Sequence, residues 1–215
     1  MIAKKILYWY DNNKRSLPWR NKCSVKQKEY FTLVSEFMLQ QTQVKTVIPY
    51  FNNFLKNIPN LQSLAKVNEV KLLRYWQGLG YYSRAKNLKK SAKMIIKNHN
   101  GRLPNNFKEL KKLPGVGDYT ASAISAIVFN EPIIPLDGNI ERVLKRILNL
   151  ETDEEIKKEN LHKRKNIFGR TSRPGDYAEA LMEIGAVLCK PKNPYCEKCP
   201  ITKNCLSFKR NNFEI

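Results

Sequence analysis

Apolar residues return every three or four positions along most of this chain, and stretches that alternate with a period of two are scarce. That spacing gives helices one buried face each and leaves no material for a sheet. It predicts helices over 1–13, 28–41, 43–57, 69–75, 83–98, 118–129, 137–149, 153–165 and 174–188. Pro and Gly fall in the gaps, as in Leu17-Pro18, Ile58-Pro59, Leu113-Pro114-Gly115, Pro132 to Pro135 and Arg173-Pro174-Gly175. There a missing N–H or a freed φ ends a helix. At 215 residues the chain can bury one sizeable core, or two lobes sharing a groove. The expected fold is all-α: two helical lobes followed by a cysteine-rich terminal loop.

Lys, Asn or Glu interrupts every long apolar run, so no segment is suited to spanning a bilayer. Lys4 and Lys5 lead into Tyr8-Trp9-Tyr10-Asp11, with neither the apolar core nor the cleavage site of a secretory signal. The expectation is a soluble, cytoplasmic protein with no membrane partner. Its 39 Lys and Arg outnumber 19 Asp and Glu, for a net charge of +20. Such an excess points to a polyanion, nucleic acid foremost. An AT-rich genome, which raises Lys, Asn and Ile together, accounts for part of it.

Four of the five cysteines lie between positions 189 and 205: Cys189, Cys196, Cys199 and Cys205, spaced C-x6-C-x2-C-x5-C. In a cytosolic chain this is no disulfide framework. Four thiolates from one short loop can converge on tetrahedral zinc or on an iron–sulfur cube. Zinc ribbons commonly use two C-x2-C pairs and only one occurs here, which tilts the choice weakly. Lys190, Lys192, Lys198 and Lys203 surround the loop and suit it to phosphate. Cys23 is left as an ordinary thiol.

Leu113-Pro114-Gly115-Val116-Gly117-Asp118-Tyr119-Thr120 joins two helical patterns. Glycines on either side of Val116 allow a tight reversal that presents backbone N–H groups at the start of the next helix. With the helix dipole, these form an anion site suited to DNA phosphate. Gly115, Val116 and Gly117 are therefore candidate DNA-binding residues, and Asp118 or Thr120 a candidate cap. An ordinary helix–turn–helix connection explains a Gly-x-Gly equally simply.

Two carboxylates have contrasting settings. Glu36 lies in Phe31-Thr32-Leu33-Val34-Ser35-Glu36-Phe37-Met38-Leu39, a helix apolar nearly all round. Desolvation there favours the neutral acid, the form a proton donor needs. A core-edge Glu paired with an Arg is the plainer alternative. Asp137 follows Ile133-Ile134-Pro135-Leu136 and precedes an amphipathic helix. A carboxylate at a helix N-terminus is favoured ionised, able to face a cationic sugar or to serve simply as an N-cap. One neutral acid and one anion is also the division of labour in glycoside hydrolysis.

These motifs, taken together, resemble the endonuclease III superfamily of DNA glycosylases along almost the whole chain, and its MutY-type adenine glycosylase branch in particular. Leu113-Pro114-Gly115-Val116-Gly117 with Thr120-Ala121 is similar to the helix–hairpin–helix element of these enzymes. Ser35-Glu36-x-Met38-Leu39-Gln40-Gln41-Thr42-Gln43-Val44 resembles the signature of the adenine branch. Leu17-Pro18-Trp19-Arg20, Gly78-Leu79-Gly80-Tyr81-Tyr82-Ser83-Arg84-Ala85 and Arg173-Pro174-Gly175-Asp176 continue the likeness.

The resemblance implies a base-excision-repair hydrolase that cleaves the N-glycosidic bond of adenine mispaired with 8-oxoguanine or guanine. Glu36 would protonate adenine at N7, Asp137 would stabilise the cationic sugar, and Asn139 would help position both. Tyr119 stands where bifunctional members carry a Schiff-base lysine, so a monofunctional enzyme is implied. Lys111 and Lys112 leave room for slow strand cleavage. Adenine would flip from duplex DNA into a pocket drawing on Arg15, Trp19, Leu39, Glu179 and Met182. Core packing remains an alternative for Trp19 and Leu39. Gln41 and Thr42 would wedge into the stack, with Tyr81 intercalating beside them, and the cysteines would hold a 4Fe–4S cluster as an architectural clamp.

The same resemblance implies a six-helix lobe over 22–132 and a cluster lobe of 1–21 with 133–215, the active site lying in the groove between them. It also implies a monomer. Members of this branch continue into a Nudix-like domain that recognises 8-oxoguanine, and the sequence ends at Asn211-Asn212-Phe213-Glu214-Ile215, about where the connecting segment would begin. A mismatch thymine or uracil glycosylase is the alternative enzyme, since short relatives with Tyr at the position of Tyr119 resemble that group. Gln40-Gln41-Thr42 favours adenine. A non-catalytic DNA-binding module is a third reading, against which Glu36 and Asp137 count.

Overall fold

The computed structural model describes residues 2–156 and 158–213. Along it run α1 (Ile2–Asn13), α2 (Val25–Leu39), α3 (Val44–Asn57), α4 (Leu61–Lys66), α5 (Glu69–Trp76), α6 (Ser83–His99) and α7 (Phe107–Lys111). There follow α8 (Asp118–Phe129), α9 (Gly138–Leu148), α10 (Asp153–Ile156), α11 (Lys158–Arg164), α12 (Pro174–Val187) and α13 (Leu206–Lys209). Among the described residues there is no strand, and no helix is long and apolar enough to cross a membrane.

Short polar side chains set many of the helix starts. Ser24 caps α2 by accepting from Gln27 N, while the Gln27 side chain accepts from Ser24 N. This reciprocal box starts the helix at Val25, earlier than the expected 28. α2 stops at Leu39 because Gln41 turns left-handed, at φ 57°. Asn60 and Asn106 cap α4 and α7, two helices too short to show periodicity. The helix expected over 153–165 is present as α10 and α11, and residue 157 lies outside the described residues, as does residue 1 of the helix expected over 1–13.

The chain divides into two units, one of residues 16–129 and one of residues 1–15 with 130–215. These boundaries differ from the expected 22 and 132. Trp19, in a 3-10 turn at Pro18–Arg20, meets Phe51 edge-on with centroids 5.2 Å apart, which ties that turn to the first unit. Asn130 Oδ1 accepts from Gly175 N at 3.2 Å, which ties it to the second.

In the unit of residues 16–129, α2 is central and packs against α3, α6 and α8. Leu33, Phe37, Phe51, Phe54, Trp76 and Leu88 are sealed from solvent. Each such side chain contributes about 1.5–3 kcal/mol through removal from water. Glu29, also on α2 and buried, accepts from Arg102 Nε at 2.8 Å and from Leu103 N at 2.9 Å.

In the other unit α12 packs against α1 and α9 over a core that includes Ile6, Ile140, Leu144, Phe168, Leu181 and Ile184. Arg173 joins the end of α1 to the start of α12. Its two Nη atoms reach Asp11 at 2.9 and 2.7 Å while its Nε reaches Asp176 at 2.7 Å.

Candidate active site and cysteine pocket

In the unit of residues 16–129 the candidate residues gather at the end of α2. Glu36 is 5% exposed on that helix, between Ser35 and Phe37. Leu39 is half-buried against the core, Gln41 is exposed and Thr42 half-buried. Gln40 was read only as part of a motif, yet its Nε2 donates to Gly115 O at 3.2 Å and to Thr120 Oγ1 at 3.4 Å. That side chain joins the end of Glu36's helix to the hairpin.

The hairpin reverses as expected but divides its labour unevenly. Val116 N donates to Leu113 O at 3.0 Å and its side chain is buried, so Val116 closes the turn and offers no N–H to an anion. Gly115 has φ +82°, and a Cβ there would stand 2.8 Å from Phe37 Cε1. Gly117 has open space where its Cβ would be, and its carbonyl accepts the bond from Ala121 N that opens α8. Asp118 pairs with Lys111 at 2.5 Å, and Tyr119 is half-buried in the first turn of α8. Tyr81 is 64% exposed with φ 46°, a second left-handed non-glycine, and Trp19 is half-buried against Phe51.

In the unit of residues 1–15 and 130–215, Asp137 caps α9 by accepting from Ile140 N at 2.7 Å and from Asn139 Nδ2 at 3.1 Å. The expectation of a carboxylate favoured in its charged form needs correcting. Desolvation by burial outweighs these hydrogen bonds and raises its pKa above the usual aspartate value. Asn139 Oδ1 in turn accepts from Arg142 Nη2 at 2.8 Å, and the same Nη2 reaches Gly185 O at 2.8 Å. Gly185 is needed for this contact, since a Cβ there would lie 2.5 Å from Asn139 Cβ and 3.0 Å from its backbone. Arg15 forms an ion pair with Glu183, which is fully buried, and Tyr10 donates to Glu179. Met182 is half-buried against the core of this unit.

Cys189, Cys196, Cys199 and Cys205 line a single pocket with apolar walls from Val143, Ile147 and Ile184. Burial raises the Cys199 thiol to about 11 and lifts Cys196 and Cys205 as well. Among the described residues no three His, Cys, Asp or Glu side chains are set to hold one metal ion. The donor set itself is sulfur-only and soft, which suits a sulfur-ligated metal group. Arg146, 3% exposed, donates to Lys190 O at 2.6 Å and to Pro191 O and Phe213 O at 2.8 Å, with Nη1 3.5 Å from Cys189 Sγ. Arg142 Nε donates to Cys189 O at 2.7 Å.

Sequence reasoning missed Arg142, Arg146, Gly185 and Glu183. The two arginines did leave a signal, since they stand four apart on one face of α9. Gly185 inside an apolar helix was a second, because such a glycine marks a close approach.

The family model described as "HhH-GPD superfamily base excision DNA repair protein" matches residues 34–166. The chain belongs to that superfamily. The matched span of this HhH-GPD protein holds Glu36, the hairpin and Asp137, while the four cysteines of the pocket lie beyond it. Endonuclease III-like members of the superfamily commonly bind a 4Fe–4S cluster. The chain is similar to an adenine DNA glycosylase of Buchnera aphidicola subsp. Baizongia pistaciae (strain Bp), 41% identical over 217 residues, covering 100% of this chain and 61% of that protein. The chain thus spans about three-fifths of that curated relative. A solved thermostable thymine-DNA glycosylase superposes with a TM-score of 0.83 at 25% identity, covering 97% of this chain and 95% of that one. A non-covalent endonuclease III–DNA complex superposes at 0.78 with 23% identity, covering 97% and 94%, and shares the fold.

Proposed function

We propose that this chain is a monofunctional glycosylase that hydrolyses the N-glycosidic bond of adenine mispaired with 8-oxoguanine or guanine in duplex DNA. The observation that carries the reading is Asp137 capping α9, held by Ile140 N and oriented by Asn139 Nδ2, together with Glu36 buried in α2. The adenine-glycosylase name of the relative at 41% identity supports adenine over thymine or uracil.

In this reading a flipped adenine takes a proton from Glu36 on N7, and its bond to C1′ breaks with the electron pair leaving on the base. The sugar cation that remains faces Asp137, whose anion the bonds from Ile140 N and Asn139 favour against its burial, and a water oxygen then bonds to C1′ while its proton leaves to solvent. Tyr119 is a phenol on the first turn of α8 and cannot form an imine, so the product is an abasic site. Of the residues this reading assigns to adenine, Trp19 and Leu39 belong to the unit of residues 16–129, and Arg15, held by Glu183, Glu179, held by Tyr10, and Met182 belong to the other. Gly115 and Gly117 bring the hairpin backbone to a phosphate, and Val116 supports them through the turn. Gln41, Thr42 and Tyr81 enter the base stack. The four cysteines that line one pocket would supply the soft sulfur ligands of a 4Fe–4S cluster, which when bound would clamp the loop; the hydrolysis itself transfers no electrons.

Single-turnover base release tests the reading, on duplexes with adenine opposite 8-oxoguanine or guanine and with thymine or uracil opposite guanine. Alkali after the reaction turns abasic sites into breaks. Adenine loss alone is expected, and thymine or uracil loss with adenine intact overturns the assignment. Glu36→Gln is expected to lower adenine release by about 10²–10⁴-fold while duplex binding persists. Undiminished release removes Glu36 from the mechanism.

A further inference from the structure

Arg84 lies 7% exposed in the first turn of α6, and its fork reaches two separate loops of the unit of residues 16–129. Nη1 donates to Phe37 O at 3.2 Å, Met38 O at 2.9 Å, Gln40 O and Thr42 Oγ1 at 3.1 Å. Nη2 donates to Leu79 O at 2.9 Å and Gly80 O at 3.2 Å. The first set contains carbonyls at the C-terminus of α2, which no intrahelical N–H can satisfy. The second set is the turn that delivers Tyr81. The guanidinium carbon also lies 5.6 Å from the Trp76 ring centroid and 5.5 Å from that of Tyr81.

Both loops end in a residue that resists its own conformation. Gln41 and Tyr81 have φ 57° and 46°, a region that costs a non-glycine residue about 1–3 kcal/mol. Such backbone persists only where its surroundings over-determine it, and Arg84 is the group that touches both loops. Gln41 and Tyr81 nevertheless remain exposed, so their outer faces are open to a partner.

We propose that Arg84 is a positioning residue that holds Gln41-Thr42 and Tyr81 in one fixed register, so that both enter the DNA stack as a single wedge. The proposal rests on the glycosylase reading above. A lysine cannot replace the arginine, because one ammonium has no planar fork to span the two loops.

The test compares wild type with Arg84→Lys on two duplexes, adenine opposite 8-oxoguanine and adenine opposite a stable abasic analogue, where flipping opposes less stacking. Fluorescence of 2-aminopurine placed beside the adenine reports insertion of the wedge, and thermal unfolding reports the fold. In a folded variant, release opposite 8-oxoguanine is expected to fall roughly tenfold to a hundredfold, as misplacement by an ångström does. Release opposite the abasic analogue should fall much less, and the 2-aminopurine signal should be lost. Equal losses on both duplexes, or a wild-type fluorescence signal, overturn the proposal.

If Arg84→Lys does not fold, Arg84→Met carries the test with the same readouts, since it keeps an apolar stem against Trp76 and removes the fork. The same selective loss opposite 8-oxoguanine is expected; equal losses on both duplexes overturn the proposal. Wild type that binds and raises the fluorescence without releasing adenine overturns the glycosylase reading alone, and Arg84 is then judged on the fluorescence. Wild type that does not bind the duplexes overturns both.

Discussion

Arg84 and Arg146 are both nearly sealed from water and both direct their guanidinium at backbone carbonyls. Arg84 completes the end of a helix and the tip of a turn, elements that already carry most of their own hydrogen bonds. Arg146 serves Lys190, Pro191 and Phe213, in loop and terminal segments where helical hydrogen bonding is sparse. The comparison teaches where a buried cation matters for shape and where for existence. Removing Arg84 is therefore expected to misalign two loops before it disturbs the core of their unit. Removing Arg146 leaves the cysteine loop without its main internal donor.

The largest effect is therefore expected from Arg146→Met. Three hydrogen bonds from a charged donor to part-buried carbonyls are lost, each worth about 1.5–3 kcal/mol, so the variant should lose about 3 kcal/mol or more in thermal unfolding. If the four cysteines hold the cluster proposed above, iron and sulfide analysis of anaerobically purified protein should show it in wild type and find it depleted in the variant. A variant that melts like wild type and retains its metal breaks the comparison, because the loop would then be held by something else.

Next come the two glycines at close approaches, one in each unit. Gly185→Ala sets a methyl against Asn139 backbone, and Gly115→Ala adds a left-handed strain to a 2.8 Å contact with Phe37. Each should cost about 1–3 kcal/mol. Gly185→Ala should also slow adenine release, because it displaces Asn139 from Asp137, and differential scanning with single-turnover rates would show both. Full activity in Gly185→Ala would mean that α9 and α12 can part without disturbing the carboxylate.

Asp137→Asn is expected to change stability by no more than about 1 kcal/mol, since asparagine caps a helix as well as aspartate does. Adenine release should be lost. The sign of the pH dependence follows from the raised pKa of Asp137. Its protonated form is favoured by the fold, so wild type is best placed against the variant below the ordinary carboxylate range. That advantage declines as pH rises through the raised value. Melting both proteins from about pH 3 to 7 would show it, and an advantage that grows with pH would mean that the hydrogen bonds outweigh burial after all.

The smallest stability effect should belong to Gly117→Ala, whose added methyl enters open space. Melting should stay within about 0.5 kcal/mol of wild type while duplex binding weakens, because the methyl occupies the approach of a phosphate. Unchanged binding in a titration would move the phosphate contact away from Gly117.

Much of this was legible in the sequence because it is local. Periodicity and capping residues mark α2, α8 and α9, and Asp137 reads as an N-cap from the pattern that follows it. The tight turn at Gly115 follows from backbone sterics alone, and the cysteines announce their loop by spacing. α4 and α7 escaped because their runs are shorter than any period can reveal, although Asn60 and Asn106 stood at their starts.

What only the tertiary structure decided is which charged groups lose their water and what replaces it. Arg84 stands in the sequence only as part of a motif and Arg146 is unmarked there; both are buried only because segments far along the chain fold over them, Phe37 to Thr42 in one case and Lys190 to Phe213 in the other. The setting of Asp137 shifted for the same reason, since desolvation is the sum of neighbours from several elements while a capping bond comes from one. A sequence displays its short-range bonds directly; it does not display solvent exclusion, which exists only once remote segments are packed together.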